Sequence, residues 1–165
     1  MKRILFLCTG NSCRSQMAQV IMNRLGKGRF EAFSAGSKPA GYVHPLAVQT
    51  LEDAKLDAAG LRSKSWEEYQ GQPFDFVITV CDRARESCPV WPGQPVTAHW
   101  GFEDPAEAVG TDEQKARIFR KVFTEIQTRI SLFLALPIDK LSHFELEKQV
   151  RGLGQVTGAA TGNRS

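Results

Sequence analysis

The chain has 165 residues, enough for one domain with a real core and too few for two comfortable ones. Apolar residues make up 42% and charged residues 24%, ordinary proportions for a globular protein. The net charge of +3 suits an anionic small substrate, and with no basic block or aromatic-interleaved basic stripe there is no case for nucleic acid.

Ile4-Leu5-Phe6-Leu7 is an apolar run of strand length. It is too short for a signal peptide or a membrane span, so a cytoplasmic protein with reduced cysteines is expected. Cys8-Thr9-Gly10-Asn11-Ser12-Cys13-Arg14-Ser15 follows directly. Beyond it Met17, Ala18, Ile21, Met22 and Leu25 mark one face of a helix that Gly26 stops. A strand, a tight loop and a helix N-terminus in succession make an anion site. The loop N–H groups converge on one point, and the helix dipole adds positive charge there. Thr9, Gly10, Asn11, Ser12, Cys13, Arg14 and Ser15 are therefore the predicted oxyanion-binding residues. Arg14 offers a planar fork for a tetrahedral oxyanion. Cys8, at the mouth of the loop, is the predicted nucleophile. The same field is expected to bring its pKa from about 8.5 into the range of roughly 3.5–7.5.

Phe30 to Gly36 reads as a second strand, followed by a Gly- and Pro-rich loop. Leu46, Val48 and Leu51 carry a helix pattern from Pro45 to about Lys55, and a short helix is expected at Ser65-Trp66-Glu67-Glu68. Asp75 to Val80 is a third strand, apolar enough to be buried on both faces of a parallel sheet. Pro95 to Trp100 is a short fourth strand. A long helix runs from an N-cap at Thr111 to about Leu136, with Ile118, Phe119, Val122, Phe123, Ile126, Ile130, Phe133 and Leu134 as its core stripe. The alternation gives an α/β fold: one domain, residues 1–136, with a four-stranded parallel sheet flanked by helices. Residues 137–151 form an extension with a short helix at His143 to Val150, and the Gly-, Ala- and Thr-rich residues 152–165 are expected to be a disordered tail.

In a parallel sheet the ends of the first and third strands lie on one edge, so Cys8 and Cys81 belong together. Cys81 and Cys88 bracket a polar run, Asp82-Arg83-Ala84-Arg85-Glu86-Ser87. Four thiols admit a zinc site, buried packing thiols or a redox pair. The spacings within the pairs are four and six intervening residues, the first at the upper limit and the second beyond the two to four usual in structural zinc pairs. For the redox pair, a helix from Cys81 to Cys88 separates the two by ~10 Å of rise. A disulfide needs roughly 4.4–6.8 Å between Cα atoms, so the segment must unwind to close it.

Cys-x-Gly-Asn-x-Cys-Arg-Ser at the first strand–helix junction resembles the phosphate loop of the low-molecular-weight protein tyrosine phosphatases and of the arsenate reductases built on the same fold. The longer run to Ala18, with Gln16 where the phosphatases tend to have Pro, resembles the reductases more closely, as do Cys81, Cys88-Pro89 and His99-Trp100-Gly101-Phe102-Glu103-Asp104-Pro105. Ala106-Glu107-Ala108 stands where the phosphatases carry aromatic walls. The resemblance implies thioredoxin-coupled reduction of arsenate to arsenite. Cys8, Arg14, Asp104, Cys81 and Cys88 are then the catalytic residues, with Asp104 as proton donor and the second and third cysteines as a disulfide relay. It implies an external dithiol such as thioredoxin, no tightly bound cofactor and no catalytic metal; a monomer is expected. Phosphate-monoester hydrolysis, which needs neither Cys81 nor Cys88, is the alternative. Cys13 is expected to pack rather than react. Some such reductases bind potassium through Asn, Glu, Ser and Asp. Here Asn11 and Ser34 match, but Gln19 and Lys64 replace the carboxylates, so the Lys64 ammonium is expected to stand in for the cation.

Overall fold

The computed structural model describes residues 1–161. Four parallel strands, β1 (Lys2–Cys8), β2 (Phe30–Gly36), β3 (Phe76–Thr79) and β4 (Val96–His99), form one sheet in the order β2-β1-β3-β4. The helices are α1 (Arg14–Leu25), α2 (Pro45–Asp53), α3 (Asp82–Ser87), α4 (Asp112–Leu134) and α5 (His143–Thr161). The expected α/β fold and all four strands are present. The short helix near Trp66 is a single 3-10 turn, Trp66–Tyr69. Among the described residues no helix is long and apolar enough to cross a membrane.

β1 is central, and Ile4, Leu5, Phe6 and Leu7 are fully buried, as a strand covered on both faces requires. Thr111 caps α4 in a reciprocal capping box with Gln114, donating one N–H bond at 2.8 Å and receiving another at 3.1 Å. The apolar stripe of α4 packs under the sheet, where the Phe133 ring lies 5.3 Å from Phe30, 5.1 Å from Phe76 and 5.8 Å from Trp100. The contacts with Phe76 and Trp100 are edge-to-face, a geometry that adds about 0.5–1.5 kcal/mol each beyond buried area.

The C-terminal segment departs from expectation. The predicted tail begins at Gly152, but α5 continues through Thr161, and only residues 162–165 of that tail lie outside the described residues. Composition misleads here because it counts what can be buried and not what can be approached. Val150 is fully buried, and its carbonyl accepts the Trp100 indole N–H at 3.0 Å. At Gly154 a Cβ would collide with the His99 backbone carbonyl, so the missing side chain lets the helix lie against the end of β4. Glu147 accepts the Thr97 N–H at 3.1 Å, and the Arg151 Nε donates to the Thr97 carbonyl at 2.9 Å. At the opposite edge Asn23 of α1 does the same for β2, accepting the Ala32 N–H at 2.8 Å and donating to its carbonyl at 3.2 Å.

Candidate active site

Cys8 is the last residue of β1, and the loop that follows turns straight into α1. The carbonyls of Cys8, Thr9 and Gly10 accept the N–H groups of Ser37, Lys38 and Ala40 at 3.1, 2.9 and 2.8 Å. The Ser12 carbonyl accepts from His44 N–H at 2.9 Å. In a trans peptide C=O and N–H point in opposite directions. Tying the carbonyls outward to the 37–44 segment therefore turns the following N–H groups inward, toward Cys8. The Asn11 N–H shows this directly, donating to Cys8 Sγ at 3.1 Å. No acidic side chain occupies the first turn of α1, so nothing there opposes an anion.

Asn11 holds the loop in shape. It has φ of 50°, a left-handed conformation that Asn tolerates better than most residues. Its buried amide donates to Ser15 Oγ at 2.8 Å and accepts from Gln16 Nε2 at 2.9 Å and Lys64 N–H at 3.0 Å. Gly36, the last residue of β2, lies directly beneath. A Cβ there would sit 2.5 Å from the Thr9 carbonyl, so only glycine lets the loop come this close.

Cys8 Sγ lies 2.8 Å from Ser15 Oγ and is almost completely buried. The outcome for its pKa corrects the sequence expectation. Burial pushes the thiol up, and the Ser15 hydroxyl, the Arg14 guanidinium and the Asn11 N–H lower it without cancelling the rise. Ser15 is the largest of the lowering influences. Ser15→Ala is thus expected to raise the thiol further and slow alkylation of Cys8 by iodoacetamide at pH 7 by roughly 3–10-fold. Alkylation followed against pH checks this: the variant's profile should be displaced to higher pH.

Arg14 reaches from α1 across to the loop after β4. Nη1 donates to the Phe102 carbonyl at 3.0 Å and Nη2 lies 3.4 Å from Asp104 Oδ2. The other Asp104 oxygen accepts the Ala106 N–H at 3.0 Å, capping the turn that begins at Pro105. Asp104 therefore has its expected place opposite the loop, with its capping role alongside. Gly10 and Ser12 lie in the same loop, their carbonyls held by the Ala40 and His44 N–H groups. Cys13 is buried with its sulfur 3.6 Å from Ser12 Oγ, and burial pushes its pKa up to about 12, which favours the neutral thiol over the nucleophilic thiolate.

Cys81 is the N-cap of α3 and Cys88 the C-cap, so a helix separates them; all four cysteines are free thiols. Cys81 Sγ lies 3.2 Å from the hydroxyl of Thr9, the residue after Cys8, as the strand directions require. Cys88 is half-buried, its thiol raised by burial and lowered by the Trp91 indole.

Lys64 is buried beneath the loop. Its ammonium donates to Ser34 Oγ at 3.2 Å, the Arg62 carbonyl at 3.2 Å and Asn11 Oδ1 at 3.4 Å, and Ser34 in turn donates to Gln19 at 2.6 Å. Burial, reinforced by Arg62, lowers its pKa to about 8. The unfolded chain keeps this proton to about pH 10.4. Lys64 therefore contributes stability that grows as pH rises from 8 toward that value and is absent below. With an ammonium already among these oxygens, exchanging potassium for sodium at equal ionic strength should change activity by less than about twofold, or ~0.4 kcal/mol. A several-fold potassium-specific activation would overturn this account. Sequence reading alone missed Gln16, Ser63 and Gly36 as loop supports. Ser63 Oγ donates to the Gly10 carbonyl at 2.9 Å and Gln16 Nε2 to the Asn11 carbonyl at 3.0 Å. Of these, only a glycine ending a strand was a visible signal.

A buried cysteine at a strand end, under a loop that turns its N–H groups inward and opposite an Arg–Asp pair, defines a class: cysteine-based enzymes that act on tetrahedral oxyanions. Residues 3–150 match the family model of the low molecular weight phosphotyrosine protein phosphatases, and the chain belongs to that family. It is 42% identical to an arsenate reductase of Halalkalibacterium halodurans over 80% of this chain and 94% of that one. It is 33% identical to a glutaredoxin arsenate reductase of Synechocystis, over 82% and 98% respectively. The structure of an arsenate reductase in the phosphate-binding state superposes with a TM-score of 0.66 at 31% identity, covering 82% of this chain and 98% of that one.

Proposed function

We propose that this protein reduces arsenate to arsenite and that its four-residue apparatus of Cys8, Arg14, Cys81 and Cys88, assisted by Asp104, carries out the chemistry. The observation that carries this reading is the pairing of thiols: Cys81 beside the Cys8 loop at 3.2 Å from Thr9 Oγ1, and Cys88 at the far end of the same short helix. A phosphatase needs neither.

The reaction runs in balanced steps. The loop N–H groups and Arg14 hold arsenate, and Cys8 thiolate attacks arsenic while Asp104 delivers a proton to the departing oxygen, which leaves as water. Cys81 thiolate then attacks Cys8 Sγ. An S–S bond forms, the S–As bond breaks and its electron pair stays on arsenic, which leaves as arsenite. Cys88 thiolate attacks Cys81 and releases Cys8 thiolate. The Cys81–Cys88 disulfide takes two electrons and two protons from an external dithiol protein, for which we propose thioredoxin. No tightly bound cofactor enters, and we place the protein in the cytoplasm, acting as a monomer. Phosphate shares the tetrahedral shape, so slow phosphate-monoester hydrolysis by Cys8, Arg14 and Asp104 is expected as a side activity.

The test is arsenite release by purified protein supplied with arsenate, thioredoxin, thioredoxin reductase and NADPH. Multiple turnovers support the reading. Failure to exceed one arsenite per protein with any dithiol reductant, alongside brisk hydrolysis of aryl phosphates, would favour the phosphatase.

A further inference from the structure

His99, the last residue of β4, joins two residues that flank Cys81. Its Nδ1 lies 2.9 Å from Thr79 Oγ1, at the end of β3, and its Nε2 lies 2.9 Å from Asp82 Oδ1, in the first turn of α3. A carboxylate only accepts, so Nε2 carries a hydrogen, and in the neutral ring Nδ1 accepts from the Thr79 hydroxyl. Burial lowers the pKa of the ring, which favours that neutral form near pH 7. Gly101 leaves room beside the ring, since a Cβ there would stand 3.3 Å from Nε2, a tight contact. Asp82 is otherwise a surface residue, its side chain 83% exposed, and yet it is held.

The two ends of α3 are thus secured differently. At the Cys81 end the backbone is fixed to the sheet through Val80 N–H to the Leu7 carbonyl, and Asp82 is tied to β4 through His99. At the Cys88 end the thiol donates to the Pro89 carbonyl at 3.5 Å and meets the Trp91 indole, both contacts within its own loop rather than to the sheet. Cys88, Pro89, Val90 and Trp91 there line a cavity of about 770 Å³. Closing a Cys81–Cys88 bridge requires one end to travel, and the construction favours movement of Cys88.

We propose that His99 is a positioning residue for the relay: by clipping Thr79 to Asp82 around Cys81 it holds that thiol against the Cys8 loop while the Cys88 end of α3 moves. This rests on the redox reading of Cys8 and Cys81 above. The chemistry of the step is unchanged. His99 touches neither arsenic nor sulfur and transfers no proton; it shortens the search of the Cys81 sulfur for Cys8.

The experiment uses a Cys88→Ser background, in which the Cys8–Cys81 disulfide is trapped and can be counted by peptide mapping. Diamide, a thiol oxidant that takes up the two electrons and two protons, drives the link without arsenate. In this background His99→Ala is expected to slow Cys8–Cys81 formation about tenfold or more, since a displacement of about 1 Å can cost that much in an aligned reaction. His99→Gln, which keeps a donor and an acceptor at similar reach, should stay within about threefold of the parent. Hydrolysis of para-nitrophenyl phosphate, which does not use Cys81, should stay within about twofold in both. Asp82→Ala, removing only an exposed carboxylate, should reproduce part of the slowing and decides the matter if His99→Ala does not fold. Link formation at the parent rate in His99→Ala, or equal slowing in His99→Gln, would overturn the proposal. So would a parallel loss of hydrolysis in Asp82→Ala. The same proteins given arsenate in place of diamide separate the two ideas. A parent that links under diamide but never under arsenate would refute the arsenate reading and leave the role of His99 standing.

Discussion

Cys8→Ser is expected to reduce arsenite formation by at least about 100-fold, or ~2.7 kcal/mol of barrier, while the protein stays folded. The serine hydroxyl is a weak nucleophile unless a base takes its proton, and no histidine among the hydrogen-bond partners of Cys8 can do so. The substitution fits the space, because Ser15 Oγ and the Asn11 N–H that meet the sulfur can bond to an oxygen equally well. Folding should therefore be spared, and far-ultraviolet circular dichroism with a melting curve would establish that. Arsenite release by this variant at a tenth of the parent rate would remove Cys8 from the nucleophile's role.

The second large effect separates the two chemistries of the site. Cys81→Ser and Cys88→Ser should each lose multiple-turnover arsenate reduction with thioredoxin by about 100-fold or more and keep para-nitrophenyl phosphate hydrolysis within about threefold. The asymmetry follows from position. Both cysteines flank α3, whereas the proposed anion site is the loop and Arg14, which is anchored by Phe102 and Asp104. The two variants should also differ from one another. Cys88→Ser can complete one reduction and stall as a Cys8–Cys81 disulfide, so a single equivalent of arsenite should appear; Cys81→Ser should stall earlier. Collapse of hydrolysis in both folded variants would contradict this division of labour.

How much of this was legible in the sequence depends on what each feature obeys. The meeting of Cys8 and Cys81 follows from strand direction alone, which is set by apolar runs and the helices between them. The loop could be read because Gly10, Asn11 and Arg14 have unusual backbone and charge properties at fixed spacing. The pKa of Cys8 could not, because its sign depends on how completely the sulfur is desolvated, and that is a property of packing. Arg129 illustrates the same gap. It interrupts the apolar stripe of α4 as a charge, but it is 1% exposed, with its guanidinium 4.7 Å from the Phe102 ring and 5.8 Å from that of Trp100. Ala84, the one apolar residue in the polar run between Cys81 and Cys88, is fully buried and so fastens α3 more firmly than composition suggests. The Lys64 cluster was approached only through the family resemblance, since three oxygens from three separate segments leave no pattern along the chain.

A parallel sheet of four strands has two outer strands, and each exposes peptide groups that a strand from another molecule could use as a template. Here Asn23 imitates a neighbouring peptide at Ala32, and Glu147 with Arg151 does so at Thr97. Each border of the sheet is thus occupied by side chains at one position, and the β2 border is also bridged through backbone where Gly36 pairs with Ser65. If the relay proposed above opens α3, this has a particular use. In that case the newly exposed backbone would meet sheet borders already occupied at Ala32 and Thr97 on a second molecule, which disfavours aggregation.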